Sequence, residues 1–224
     1  MDAHSAQVWY RTAAGRRAAR LLRHALRPLL KHRATTRLLT VGAPAALLLG
    51  IDPAGVERIA VANTASRWPA NGANLTLATD PCQLPFHEAV FDQLLLIHSL
   101  ETAERPAALL REAWRVLAPA GELLLVVPNR GLWSLFETTP FGIGRPYGRG
   151  ELRRTLEAAM FELTHARTAL AAPPLRGLAW TERLLARALP QLGGVHIVTA
   201  SKTDGLAPIS GRAATARSQT APAT

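Results

Sequence analysis

The sequence is poor in the residues that cross-link or metallate a chain. One of its 224 residues is cysteine, Cys82, which excludes an internal disulfide and a multi-cysteine zinc site. Such usage fits a reducing, cytoplasmic compartment. Seven histidines and 16 acidic residues show no metal-ligand spacing, so no metal is predicted. Aromatic residues make up only 5%, so aliphatic side chains and alanine have to fill any core. Long apolar runs are also missing. The longest, Leu38 to Ile51, has 14 residues and contains Gly42 and Pro44, against the roughly 20 that a membrane-spanning helix requires. No apolar stretch opens the sequence, so no secretory signal is expected. What remains is 48% hydrophobic and 19% charged, a balance that builds a sizeable core and excludes global disorder.

Negative charge is scarce at one end. Residues 1–37 hold nine Arg and Lys against a single acid, Asp2, whereas the other 187 residues are nearly neutral. The formal net charge of +10 is therefore carried mainly by an N-terminal arm. Leu22, Ala25, Leu26, Leu29 and Leu30 recur there at helical spacing with arginines between them, and Pro28 predicts a kink or stop near Arg27. Three readings compete. The arm is a cap helix with its leucines on the body and its arginines in water, or it binds a phosphate-bearing partner such as nucleic acid, or it lies on an anionic membrane surface. The charge division predicts an arm separable from any cofactor site.

Beyond the arm, apolar runs alternate with helical periodicity. Strands are predicted at Thr36–Val41, Arg58–Ala62, Asn74–Ala78, Phe91–His98, Glu122–Val127, Phe161–Leu170 and Gly194–Ser201. Helices are predicted at Ala45–Leu49, Arg105–Leu117, Glu151–Met160 and Leu178–Leu189. Residues 203–224 have no apolar period and read as a disordered tail. The division is an arm over 1–35, a domain over 36–202 and the tail. Alternating strands and helices imply a three-layer α/β architecture. Such folds bind ligands beyond the carboxyl ends of the strands. That directs attention to Gly42–Ala45, Asn63, Asp80–Cys82, His98–Glu101 and Pro128–Arg130.

The stretch from Asp80 to Asn129 carries an ordered set of motifs. These are Asp80, Leu84-Pro85-Phe86, Phe91-Asp92, the helix Leu110 to Leu117, Pro119-Ala120-Gly121, Leu123 to Val127, and Pro128-Asn129. In this it resembles the class I S-adenosylmethionine-dependent methyltransferases, of the small-molecule and quinone-modifying kind. The resemblance implies a Rossmann-like seven-stranded sheet with an antiparallel last strand, S-adenosyl-L-methionine as cofactor, and a small-molecule or lipid-like acceptor. It assigns the cofactor to Gly42, Ala43, Asn63, Asp80, Pro81, Cys82 and His98. Two positions depart from the family pattern. The first loop, Gly42-Ala43-Pro44-Ala45-Ala46, keeps one of the usual glycines, and Asn63 stands where an acid normally holds the ribose.

Acid–base chemistry on an oxygen acceptor would fall to His98 and Glu101, a histidine–carboxylate pair at the end of strand four. The alternative is a structural histidine. Asp80 either contacts adenine or caps a turn before Pro81, and Cys82 reads as a loop filler more readily than as a nucleophile. Asn129 and the Gly/Pro-rich segment Thr138–Gly150, with Arg145, Tyr147 and Arg149, are candidate acceptor contacts in a lid, or part of a plain connection. Three functional classes stay open: a small-molecule methyltransferase, a non-catalytic binding or regulatory protein on the same fold, and an RNA-directed methyltransferase.

Overall fold

The computed structural model describes residues 3–31, 36–42, 47, 57–61, 76–130, 138–170 and 193–203. Helices α1 (Ala3–Tyr10) and α2 (Ala13–Leu26) precede a 3-10 turn over Arg27–Leu29. The strands are β1 (Arg37–Gly42), β2 (Glu57–Val61), β3 (Thr76–Leu77), β4 (Phe91–Ile97), β5 (Leu117–Pro128), β6 (Phe161–Ala169) and β7 (Val195–Lys202). Helix α3 (Pro106–Val116) joins β4 to β5, and α4 (Arg149–Ala158) lies between β5 and β6. The predicted helices at Ala45–Leu49 and Leu178–Leu189 and the tail beyond Thr203 lie essentially outside the described residues.

The strands form one sheet in the order β3-β2-β1-β4-β5-β7-β6. Strands β1 to β5 pair in parallel, while β7 runs antiparallel to both β5 and β6. Period-two alternation divides the unbroken apolar runs between the two faces. Leu94, Leu96, Leu123, Leu125 and Val127 pack towards α3 and α4, with Leu109, Leu110, Leu152 and Leu156. Leu95, Ile97, Leu124 and Val126 face the opposite layer.

The N-terminal arm supplies that opposite layer. Leu22 and Leu26 are buried there with Leu38, Leu95 and Ile97, which is the cap-helix arrangement, and Arg16, Arg20 and Arg27 remain exposed. The Thr12 hydroxyl caps α2 by accepting the Gly15 N–H at 3.0 Å, and Pro28 ends the helix in the 3-10 turn. At the far end of the arm, the fully buried Gln93 of β4 acts as a staple. Its side-chain N–H groups donate to the Leu29 carbonyl at 2.8 Å and to Glu122 at 3.2 Å, and its oxygen accepts the Lys31 N–H at 3.0 Å.

Several element ends differ from the sequence reading. The helix expected through Leu117 stops at Val116, because Leu117 already has extended φ and ψ of −76° and 136° and begins β5. Strand β4 ends at Ile97 rather than His98, whose φ of 53° turns it out of the strand. Helix α4 begins at Arg149, ahead of the predicted Glu151.

On β7, His196 is 1% exposed and, among the described residues, neither ring nitrogen has a hydrogen-bond partner. Burial, assisted by the nearby Arg149 charge, lowers its pKa from 6.5 to about 4. The unfolded chain therefore takes up a proton as pH falls through 6.5, and the folded chain does not until about 4. Stability present above pH 6.5 is lost across that window, on the order of 3 kcal/mol. Urea unfolding at about pH 7 and about pH 4 checks this: His196→Leu should show a pH-induced loss smaller by that order. In the arm, Leu22→Ala should lower unfolding free energy by about 2–5 kcal/mol, against under about 0.5 for Arg20→Ala.

Candidate active site at the carboxyl ends of β1 and β4

Gly42 and Ile97 are paired neighbours at the ends of β1 and β4. Gly42 has φ of +103°, and a Cβ there would overlap the Ile97 carbonyl oxygen and Ser99 Oγ. The β4 backbone therefore demands glycine at this position by itself. The Ser99 hydroxyl lies 3.0 Å from the Val41 carbonyl and 3.1 Å from that of Ile97, tying the two strand ends together. Ala43 and Asn63, expected to line the same edge, lie outside the described residues.

The structure brings His98 and Glu101 together. His98 Nδ1 is 2.9 Å from Glu101 Oε1, and their side chains are 5% and 0% exposed. A third member comes from the arm: the Tyr10 hydroxyl is 2.8 Å from His98 Nε2. Burial, with the Glu101 charge adding to it, pushes the Tyr10 pKa far up. The phenol keeps its proton and donates to Nε2, so Nδ1–H donates to the carboxylate, and the network assigns the tautomer. The Trp9 and Phe141 rings, 5.4 Å apart, close over this group, with Phe141 5.3 Å from the His98 ring.

The arm is therefore not separable from this edge of the sheet. Its charge distribution carries no trace of the Tyr10 contact, which spans 88 positions of sequence. Gly15 makes the placement achievable, since a Cβ on it would strike the backbone of Trp9 and Tyr10 where α1 crosses onto α2.

Asp80 builds the turn that was its alternative role. Its Oδ1 accepts the Cys82 N–H at 2.8 Å, its carbonyl accepts the Gln83 N–H at 3.0 Å, and Oδ2 lies 3.7 Å from Arg105. Pro81 sits within that turn. Burial first, then the Asp80 charge, raises the Cys82 thiol pKa, which disfavours the nucleophilic thiolate.

The four candidate acceptor contacts are scattered in role. Asn129 is buried, its amide donating to the Gly193 carbonyl at 2.8 Å. Tyr147 is also buried, bridged to Asn129, with its N–H on the Pro128 carbonyl at 3.0 Å. Arg145 pairs with Glu151 at 2.5 Å and donates its backbone N–H to the Glu101 carbonyl at 2.9 Å. Arg149 is exposed at the start of α4. The segment thus lies docked against Glu101.

Residues 33–125 match the family model described as a methyltransferase domain. Over that stretch the chain is similar to methyltransferases. A 68-residue stretch is 34% identical to the ubiquinone/menaquinone biosynthesis C-methyltransferase UbiE of Ruegeria sp. (strain TM1040), spanning 29% of this chain and 27% of that relative. Among solved structures, a methyltransferase of Thermotoga maritima, described as a possible histamine N-methyltransferase, superimposes with a TM-score of 0.63 at 18% identity, covering 88% of this chain and 94% of that one. The cyclase SpnF gives 0.60 at 20% identity over 86% and 83%. A Burkholderia thailandensis N-methyltransferase, solved with its substrate and S-adenosylhomocysteine, gives 0.54 at 21% over 88% and 81%. These likenesses carry the family's fold; a cyclase among them shows how little the fold alone says of the reaction.

The buried triad makes a thermodynamic prediction. Tyr10→Phe strands His98 Nε2 and should cost about 1–3 kcal/mol. In a double-mutant cycle with His98→Leu, the coupling should be of order 1 kcal/mol, read from urea unfolding, whereas additive effects would mean that the bond contributes nothing.

Proposed function

We propose that this chain is an S-adenosylmethionine-dependent methyltransferase for a small-molecule or lipid-like acceptor carrying an ionisable hydroxyl. The observation that carries the reading is the buried His98–Glu101 contact, set beside Gly42 at the adjoining ends of β4 and β1. The match of residues 33–125 to a methyltransferase-domain model supports the donor class: when bound, the cofactor offers a sulfonium-activated methyl group. The residues fit a cationic ligand at one point, because Glu101 Oε2 is buried without a hydrogen-bond partner among the described residues. An uncompensated carboxylate oxygen favours a positive charge nearby.

In this reading His98 is the general base. Glu101 fixes its Nδ1–H and leaves the Nε2 lone pair directed at Tyr10. An acceptor hydroxyl that displaces the Tyr10 hydroxyl takes over that hydrogen bond and can lose its proton to Nε2. Positioning of the acceptor supplies the rest. Residues 36–202 constitute the methyltransferase domain, with the arm over 1–35 as its cover. Asp80 and Asn63 remain candidate cofactor contacts, Asn129, Arg145, Tyr147 and Arg149 candidate acceptor contacts, and the cytoplasm the compartment. No described helix is long and apolar enough to cross a membrane.

A second reading, a non-catalytic binding protein, is favoured by the same triad: both His98 nitrogens are already engaged, and the loop after Gly42 departs from the family pattern. Calorimetric titration with S-adenosylmethionine and S-adenosylhomocysteine separates the two. The methyltransferase reading expects saturable binding, weakened about ten- to a hundredfold by Glu101→Gln and by Asp80→Ala. An absence of heat at millimolar cofactor would leave the binding-protein reading standing.

A further inference from the structure

A cavity of about 300 Å³ lies between α4 and the β6–β7 edge of the sheet. Leu152 of α4, Leu163 of β6 and Val198 of β7 form apolar walls. Its polar groups are all basic. Arg149 and Arg153, one helical turn apart and both exposed, stand on the α4 side, and among the described residues only Arg153 has an ion-pair partner, Glu157 at 3.6 Å in solvent. His196 lines the cavity from the sheet. It is 1% exposed, and among the described residues neither Nδ1 nor Nε2 has a hydrogen-bond partner. The Tyr147 backbone favours a protonated ring, yet among the described residues no group makes a full hydrogen bond to either nitrogen.

An imidazole buried without partners is costly, and buried polar groups in native proteins are nearly always satisfied. A neutral ring offers one donor and one acceptor, so a ligand hydroxyl can satisfy either. Two guanidiniums at the open side select a carboxylate. The volume lies at the lower end of the range for small-molecule pockets.

We propose that this cavity is a second small-molecule site, taking an apolar-bodied carboxylate with a hydroxyl at its far end. The carboxylate meets Arg149 and Arg153, the body lies along Leu152, Leu163 and Val198, and the hydroxyl bonds His196. The site needs neither methyl donor nor His98, so it stands or falls apart from the methyltransferase reading.

The probes are 4-hydroxyphenylacetate, phenylacetate, which lacks the hydroxyl, and tyramine, which replaces the carboxylate with an ammonium. Each is titrated into cofactor-free protein by calorimetry, with the His196 ring followed by NMR. The hydroxylated acid should bind saturably and shift the His196 resonances. Phenylacetate should bind about five- to tenfold more weakly, and tyramine at least about tenfold. His196→Leu should abolish the preference for the hydroxyl. Arg149→Gln with Arg153→Gln should abolish the preference for the carboxylate. These arginines are exposed, so the double variant keeps the test valid should His196→Leu disturb folding. Equal binding of the three probes, no saturation below about 10 mM, or preferences that survive both variants would overturn the proposal.

Discussion

A carboxylate without access to water dominates the chemistry at the carboxyl edge of the sheet. Glu101 has to be compensated where it sits, and His98 is the group that does so directly. Holding Nδ1 against Glu101 directs Nε2 outward, where it requires a donor of its own. Tyr10 meets that requirement because burial keeps its phenol protonated. The left-handed backbone at His98, with φ of 53°, is part of the same arrangement, since it turns the imidazole out of the β4 line. Unusual backbone of this kind persists where the surroundings over-determine it.

The arm gains its meaning from this chain of requirements. Its leucines cover one face of the sheet, Gln93 holds one end of it, and Tyr10 holds the other. Charge placed the arm outside the body in the sequence, and Arg16, Arg20 and Arg27 do stay in water. The stripe between them makes it a structural layer, and a single aromatic at its start makes it part of the site.

Most of the central fold was legible because the signals were local. Runs such as Leu94–Ile97 and Leu123–Val127 are apolar at every position, which is what a strand covered on both sides requires, and the helix over Pro106–Val116 shows its buried face at 3.6 spacing. The pairing of His98 with Glu101 was legible for the same reason, since three residues separate them. What the sequence concealed depended on distance or on backbone. Nothing near Tyr10 signals a partner just past the end of β4. Asn129 donates its side-chain amide to the Gly193 carbonyl and Tyr147 its backbone N–H to the Pro128 carbonyl, contacts that only the closed sheet brings near. His196 sits in an apolar run, and its pattern gave no hint that it would lack a partner.

The Gln93 staple also bears on the order in which the chain can assemble. Its bonds to Leu29 and Lys31 cross more than 60 positions, and the Tyr10–His98 bond crosses 88. On the ribosome the arm emerges before β4, and the groups that shield its leucines and fix its ends are made later. Until β4 has been synthesised, α2 is an exposed amphipathic helix, short enough to be marginal alone in water. The arm, made before the sheet that covers it, is thus among the last elements to be secured, and its arginines favour solubility through that interval.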